Sequence, residues 1–441
     1  MGLRLQDGDR VGIIGGGPGG SFAALHLFAL AAKQGLRLEI VIFEPHTGLV
    51  CGPKGCKGCA GILSDGAVRN MATLGLQVPE EVVQSELRSY VVHVAGQVTT
   101  IVQPDPGRHI FSVYRGAGPR LHDGAPLHGL DAYLLGRACA AGAQHIPQRV
   151  RSVEWEDGPV IYADDLRLPC ALLVLATGVN SRPPLAPAFG YQAPATALMA
   201  QDEIPRPANW PADKVAGFFD QPPGLMFGAI VPKGPYLNIS LLWRGPVADA
   251  VRQFYTAQSE ALRYFFPDLP PPLCGCNPRI LVKPAPLYYG DRWVAVGDAA
   301  VARLFKDGMN SAFATSGRAM QTAVQRGIDR ASFAEGYAPL CRQIARDNRY
   351  GAFLYTASSR VLRSLRLAGA FVNLIDAEAW LSRERQVHSR LMWGMLTGDE
   401  SYHTLFRLFL QPRGLLGLGR ELAANLGRRS GDRPAPAGRD Q

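Results

Sequence analysis

Ten residues near the N-terminus, Val11-Gly12-Ile13-Ile14-Gly15-Gly16-Gly17-Pro18-Gly19-Gly20, constrain this chain more than any other stretch. A short apolar run enters a glycine-rich turn, and an alanine-rich apolar segment from Phe22 to Ala32 follows at helical spacing. That order predicts strand, tight turn and helix, with Gly15, Gly17 and Gly20 in the register G-x-G-x-x-G and Pro18 and Gly19 inside it. Gly15 permits the sharp turn, Gly17 lets backbone approach a pyrophosphate, and Gly20 lets the helix lie close to the strand. A diphosphate would sit on the free N–H groups at the start of that helix. The next apolar run, Leu38 to Phe43, ends in Glu44, an acid placed to accept hydrogen bonds from a ribose hydroxyl. Alone, G-x-G-x-x-G can be a glycine-rich surface turn. A strand before it, a helix after it and an acid closing the next strand make it a dinucleotide site.

Length and composition narrow the remainder. At 441 residues the chain has room for two or three domains, and 47% hydrophobic with 19% charged residues is ordinary globular composition. The N-terminus carries Arg4, Asp7, Asp9 and Arg10 where a signal peptide would be apolar, and no apolar stretch reaches the length of a membrane span. A cytoplasmic protein is therefore expected, with eight cysteines as thiols or ligands more than as structural disulfides. Net charge is +9, carried mainly by arginine. The last 31 residues hold six arginines against three acids. This balance suits an anionic membrane surface or an acidic electron-donor protein, and equally a solvated basic face. No nucleic-acid-binding motif accompanies the charge, so nucleic acid is not an expected partner.

In order along the chain, a glycine- and cysteine-rich loop spans Cys51 to Ser64 and a helix is predicted from Asp65 to Leu74. Alternating apolar residues predict strands at Arg88–Val94, Gln97–Val102 and His109–Tyr114, closed by Arg115-Gly116-Ala117-Gly118-Pro119. A helix follows at Leu130–Ala141, then short strands at Arg149–Glu154 and Val160–Tyr162. A buried run, Ala171–Leu175, ends at Ala176-Thr177-Gly178. After a proline-rich connection, strands are predicted at Gly224–Val231 and Tyr236–Trp243 and one helix at Val247–Phe265. A last buried strand, Trp293–Val296, runs into Gly297-Asp298-Ala299-Ala300, and nearly everything beyond Ser311 reads as helix.

The Gly-Asp step can be an ordinary helix cap. Following the dinucleotide motif and Ala-Thr-Gly in that order, it reads as part of an FAD site. Asp298 would meet ribityl hydroxyls, and Gly308-Met309-Asn310 would bring free N–H groups to the pyrimidine edge of the flavin. Here the sequence resembles the FAD-dependent geranylgeranyl reductase family, hydroxylase-like FAD oxidoreductases, over residues 10 to about 325. The resemblance rests on the glycine turn with Glu44, on Cys59-Ala60-Gly61-Ile62-Leu63-Ser64, on Ala176-Thr177-Gly178, and on Gly297–Ala300 through Ser316-Gly317-Arg318. It implies that Cys59, Ala60 and Gly61 lie beside flavin and substrate. Arg115, Thr177, Gly178 and Ala299 are assigned with them to the cofactor. It also implies a substrate-facing strand at Phe227-Gly228-Ala229-Ile230-Val231-Pro232, where the family usually has Tyr-x-Trp-x-Phe-Pro. Phe227 and Pro232 agree in kind, whereas Ala229 and Val231 replace two large aromatics, which implies a roomier or differently shaped pocket. The Trp-x-Trp-x-Ile-Pro segment of flavin-dependent halogenases is absent. Val301 stands where the monooxygenase branch has histidine, and Leu304-Phe305-Lys306-Asp307 stands where it has a proline-rich turn. Both favour a reductase.

Cys51, Cys56 and Cys59 are spaced C-x4-C-x2-C, the run used by plant-type [2Fe–2S] proteins, and Cys274 or Cys276 would complete a cluster or zinc set. Free thiols, a reversible disulfide and inert packing are the other readings, and Cys59 is open to three roles: proton donor, redox partner or pocket wall. His26 reads as packing, and His122 and His128 as exposed loop residues. Segments Val361–Ile375 and Leu405–Leu418 mix apolar residues with arginines, suiting either a peripheral position on an anionic bilayer or packing on the core.

The expected architecture is an α/β FAD-binding Rossmann-like domain in three parts (1–85, 116–182, 285–330). An antiparallel substrate domain is inserted in it (86–115, 183–284), followed by a helical region (331–427) and a disordered tail (428–441). The expected chemistry is hydride transfer from reduced FAD to a carbon–carbon double bond of an apolar, isoprenoid or lipid-like substrate. No second nucleotide motif is evident, so NAD(P)H binding transiently, or a ferredoxin-like carrier, would supply electrons. The alternatives are a flavin monooxygenase acting on an apolar or aromatic molecule and an electron-relay flavoprotein using the cysteine loop.

Overall fold

A computed structural model describes residues 3–46, 60–119, 122, 125, 127–219, 222–268 and 275–427. Its first layer is a parallel sheet of five strands in the order Trp293–Ala295, Leu172–Leu175, Arg10–Ile14, Glu39–Phe43 and Gln144–Ile146, with Tyr289–Gly290 antiparallel at one edge. Both faces of such a sheet must be covered, which explains the near-continuous apolar strands. Val11, Ile13, Ile40 and Ile42 pack against Ala23, Leu27, Ala319 and Met320 of the helices Pro18–Lys33 and Gly308–Gln325. On the other face Ile14, Val41, Phe43 and Leu173 meet the meander Ser152–Trp155, Pro159–Ala163 and Leu166–Pro169.

The second layer is a seven-stranded sheet in the order 279–283, 195–205, 236–243, 225–233, 214–218, 89–94 and 97–102, antiparallel except between 214–218 and 89–94. One face buries Ile204, Ile230, Leu237, Ile239 and Leu241 with Phe254 of the helix Ala250–Ala257. The other faces the nucleotide-binding layer and the C-terminal helices.

Several expectations change. Phe111–Val113 does not join the inserted sheet but pairs with Ile62–Leu63 and Val83–Glu86 in a separate three-stranded sheet, because Ser112 Oγ and the Gly61 carbonyl tie it between the two layers. The single helix expected at Val247–Phe265 is broken into Ala250–Ala257 and Ser259–Leu262. Ser364 ends one C-terminal helix (Ala338–Arg363) and caps the next (Leu365–Glu378), its Oγ accepting from Leu367 N at 3.4 Å. Leu405–Leu418 is likewise divided, between Tyr402–Phe409 and Pro412–Gly427, with Pro412 opening the second helix. The tail from 428 lies outside the described residues. No described helix is long and apolar enough to cross a membrane.

Candidate functional site

The carboxyl edge of the parallel sheet collects the dinucleotide residues. Gly15 has φ +104°, and a Cβ there would lie 2.5 Å from the Ala176 carbonyl oxygen; one on Gly20 would lie 1.9 Å from the Gly15 carbonyl oxygen. Neither position accepts a side chain. Gly17 precedes the first helical residue, Pro18, so the first N–H groups of the helix have no intrahelical acceptor. A Cβ on Gly17 would stand 3.4 Å from the Arg115 guanidinium and 3.5 Å from the Asp131 carboxylate. A Cβ there would thus be in ordinary contact with the Arg115–Asp131 pair, which edges the turn with a cation. Arg115 is held flat by two bonds to Asp131, Nε–Oδ1 at 3.0 Å and Nη2–Oδ2 at 2.8 Å. Glu44 is buried, and its carboxylate accepts from Gly16 N and His46 N, each at 3.0 Å. It therefore braces the glycine turn as well as ending the second strand. Gly19 packs its backbone against Ala176 and Val296.

Thr177 and Gly178 follow the central strand, and the buried Thr177 Oγ1 has no hydrogen-bond partner. Across the edge, Gly297 N donates to Thr315 Oγ1 at 2.9 Å and the Ala299 carbonyl accepts from Tyr191 at 2.8 Å, which fixes the Gly-Asp-Ala turn. Burial raises the Asp298 carboxyl above its ordinary value, partly offset by Arg115. Asp298 Oδ1 lies 3.7 Å from where a Cβ of Gly308 would be, at the start of the helix Gly308–Gln325. Asn310 spends its side chain on structure: Nδ2 donates to Asp307 Oδ2 at 3.1 Å and Oδ1 accepts from Asn70 at 2.6 Å. Met309 is half-buried beside the Phe22–Leu63 cluster, so from this turn only backbone groups are offered.

The third wall comes from the loop ending at Gly61 and from the strand Leu225–Lys233. Ala60 is half-buried; Gly61 has φ +66°, and a Cβ there would lie 2.0 Å from the Val113 carbonyl oxygen and 2.9 Å from Lys233 Nζ. Phe227, Ala229, Val231 and Lys233 share one face of their strand. Phe227 lies under Lys306, whose Nζ is 4.2 Å from the ring centroid, and lines a cleft with Phe219, Met226, Met392 and Met395. Ala229 does not open the pocket. It is buried with Val231, Met392, Trp393 and Leu396, so the helix Val387–Thr397 fills the space that two large aromatics would take. Pro232 is buried, and its carbonyl accepts from Ser112 Oγ at 2.6 Å.

Sequence reasoning missed five charged residues here. Lys233 is 2% exposed, 3.8 Å from Glu203 Oε1 and 4.6 Å from the centroid of the Tyr114 ring. Burial, with Arg303 nearby, lowers Lys306 to about 7. Asp307, at φ +55°, is raised to about 6 by burial although Ser64 Oγ donates to it at 2.8 Å. Arg303 donates to the carbonyls of Gly398 and Glu400 and stacks on Tyr402, clamping the 397–400 turn beside this helix start. The Lys-Asp sequence ahead of Gly308 was the available signal; nothing local marked Lys233 or Glu203.

Cys51, Cys56, Cys59 and Cys274 lie outside the described residues. Cys276 is half-buried, with its thiol 3.9 Å from Gln201 Oε1, and no metal-ligating group of three or more acids, histidines and cysteines occurs among the described residues. His26 packs on Phe313 and burial lowers it to about 4, as the packing reading requires. His128 is exposed, but His122 is half-buried, with its ring nitrogens 3.3 Å from Tyr236 Oη and 2.6 Å from the Ala125 carbonyl oxygen.

No protein-family profile matches the chain, and no curated protein sequence matches it. Solved structures do. A geranylgeranyl bacteriochlorophyll reductase-like protein from Thermoplasma acidophilum is 15% identical, with a TM-score of 0.61 over 95% of this chain and 100% of that one. A flavoprotein/dehydrogenase from Cytophaga hutchinsonii is 13% identical, with a TM-score of 0.61 over 96% and 100%. A flavin-dependent halogenase is 16% identical, with a TM-score of 0.60 over 92% and 77%. The fold is the α/β Rossmann-type fold of these flavoproteins, as the sequence resemblance implied. Within that class the reductase-like protein and the halogenase are similar to this chain to nearly the same degree.

Proposed function

We propose that the chain binds FAD non-covalently and is an FAD-dependent oxidoreductase that reduces carbon–carbon double bonds of an apolar, isoprenoid or lipid-like substrate. One observation carries the cofactor: the glycine turn at Gly17, edged by Arg115, lies on the same sheet edge as Asp298 and the free N–H groups at Gly308. These residues fit a dinucleotide with a flavin end, since Gly17 puts no side chain over the turn, Arg115 supplies charge, and Thr177 Oγ1 has hydrogen-bonding capacity unused by the protein. Glu44 and the helix from Pro18 would hold the adenosine and diphosphate, Asp298 the ribityl chain, and the N–H groups of Gly308 and Met309 the pyrimidine edge. The flavin supplies hydride chemistry when bound.

The protein's own part is to bind, orient and exclude water. Phe227, Met226 and Met392 offer an apolar wall, and the helix Val387–Thr397 narrows it. Cys59 is proposed as proton donor, and an external nicotinamide nucleotide or acidic carrier as reductant. Absorbance of the purified protein tests the cofactor: a yellow protein releasing FAD on denaturation is expected, and a colourless protein that takes up no FAD refutes it. Oxygen consumption with an oxygenated product, in place of alkene reduction, would transfer the protein to the monooxygenase reading. A cytoplasmic protein resting peripherally on an anionic membrane completes the proposal. Its support is the exposure of Leu365, Trp380 and Leu416 near Arg363, Arg366 and Arg420 in the C-terminal helices.

A further inference from the structure

The cleft at Phe227 has apolar walls, two cations and, among the described residues, no acid. Phe219, Met226 and Phe227 line it from the sheet side, and Met392, Met395 and Leu396 from the helix Val387–Thr397. Its volume, open mouth included, is about 450 Å³, within the range of small-molecule sites. The cations are Arg244 and Lys306. Arg244 is exposed and donates to Ser359 Oγ at 3.0 Å, which places it at the mouth.

Lys306 is the half-buried one, and its N–H donors are unspent. Its ammonium lies over the Phe227 ring, and it has no hydrogen-bond or ion-pair acceptor among the described residues. The adjacent acid does not neutralise it, because the Asp307 carboxylate accepts from Ser64 Oγ at 2.8 Å and Asn310 Nδ2 at 3.1 Å. Arg303, on the same segment, is committed to the carbonyls of Gly398 and Glu400. An aromatic face returns only part of the hydration that a buried ammonium loses. Burial, with Arg303 nearby, lowers the amine to about 7 accordingly. What is missing from this cleft is a negative charge.

We propose that the cleft takes a carboxylated apolar substrate, with its carboxylate on Lys306 and its chain along Phe227 and the methionines. This rests on the reading of the cleft as the apolar substrate pocket of a flavoprotein. One negative charge matches the one unpaired ammonium. A phosphate dianion would bring a second charge onto Phe227, Met392 and Met395, where no donor meets it. An alcohol of the same shape leaves the ammonium without a counter-charge and binds less well.

The test is isothermal calorimetry at pH 7 on flavin-loaded protein, with flavin content measured first. The probes are geranate, geraniol and geranyl phosphate, which share one apolar chain and differ in the end group. Wild-type protein is expected to bind geranate about tenfold more tightly than geraniol, one charge-assisted hydrogen bond's worth of preference. Geranyl phosphate should bind more weakly than geranate. In Lys306→Met the preference for geranate over geraniol should fall to about twofold or less. Equal binding of geranate and geraniol by the flavin-loaded wild type, tighter binding of geranyl phosphate, or a preference that survives in Lys306→Met each overturns the proposal and leaves the pocket reading intact. A wild-type protein without flavin, or one binding none of the three, overturns both. Should Lys306→Met fail to fold, Lys306→Gln, which keeps a donor without the charge, is held to the same loss of preference.

Discussion

The two ends of the site are built in opposite ways. At the nucleotide end the working groups are backbone: N–H groups after Gly17 and Gly308, exposed by turns that tolerate no Cβ at Gly15 or Gly20. At the sheet end the buried groups are side chains, Lys233, Glu203 and Phe227, and Lys233 meets Glu203 although the two are 30 residues apart in sequence. A backbone site needs a particular local conformation, which a short motif encodes. A side-chain site needs burial and pairing, which no short motif encodes.

The largest effects should separate steric from binding roles within the first end. Gly20→Val drives a side chain into the Gly15 carbonyl, and we expect little soluble protein. Gly17→Val places its Cβ no closer than 3.4 Å to any neighbouring atom. It should therefore fold with a near wild-type circular dichroism melt yet hold no flavin. Full flavin occupancy in Gly17→Val would break the assignment of this end.

Next come the buried charges. Arg115→Ala strands the Asp131 carboxylate, which is 6% exposed, and should lower stability by about 2–3 kcal/mol as well as weaken flavin retention. A comparable cost, about 2 kcal/mol, is expected for Glu378→Gln in the helical region. Burial alone would raise Glu378, but donors from His388 N, His388 Nδ1, Ser389 N and Ser389 Oγ outweigh it and hold the carboxyl below its ordinary value. A carboxyl lowered by folding stabilises above its unfolded value, and that contribution is lost as pH falls through the folded one. The gap between wild type and Glu378→Gln should accordingly close in acid urea titrations while flavin content at neutral pH stays the same.

Asp307 has the opposite sign. Raised to about 6 from 3.8, it takes up a proton on folding, so its contribution declines as pH climbs from about 4 through 6. Asp307→Asn should match wild type near pH 4 and exceed it above pH 6, by on the order of 1 kcal/mol after allowing for its partial exposure. A melting series across that range that shows no divergence would remove Asp307 from the charge balance at the flavin helix. The smallest effect belongs to the outer surface. Trp380 is 86% exposed, and Trp380→Ser should reduce sedimentation with anionic vesicles severalfold at low salt without altering the melt. Wild-type protein that does not sediment at low salt ends the membrane proposal.

The glycine turn, the buried parallel strands and the Gly-Asp step were legible because each is a local pattern with one inexpensive conformation: Gly15 at positive φ, apolar runs of four or five residues, and a strand running straight into a turn. The strand Ala195–Pro205 was not legible. Its Gln201 and Glu203 interrupt the apolar pattern of a buried strand, and the neighbouring Ser240 and Asn238 bond them in the interior. The same holds for Ala229, whose small side chain implied a roomier or differently shaped pocket and is packed by Met392 and Leu396 from more than 160 residues away. Sequence by itself determined the nucleotide fold and the backbone that would cradle a diphosphate, because steric limits act within a few residues. Which polar groups are buried, which are paired, and how much room is left beside Phe227 were decided only by tertiary structure, because desolvation and packing depend on neighbours that the chain brings together after it folds.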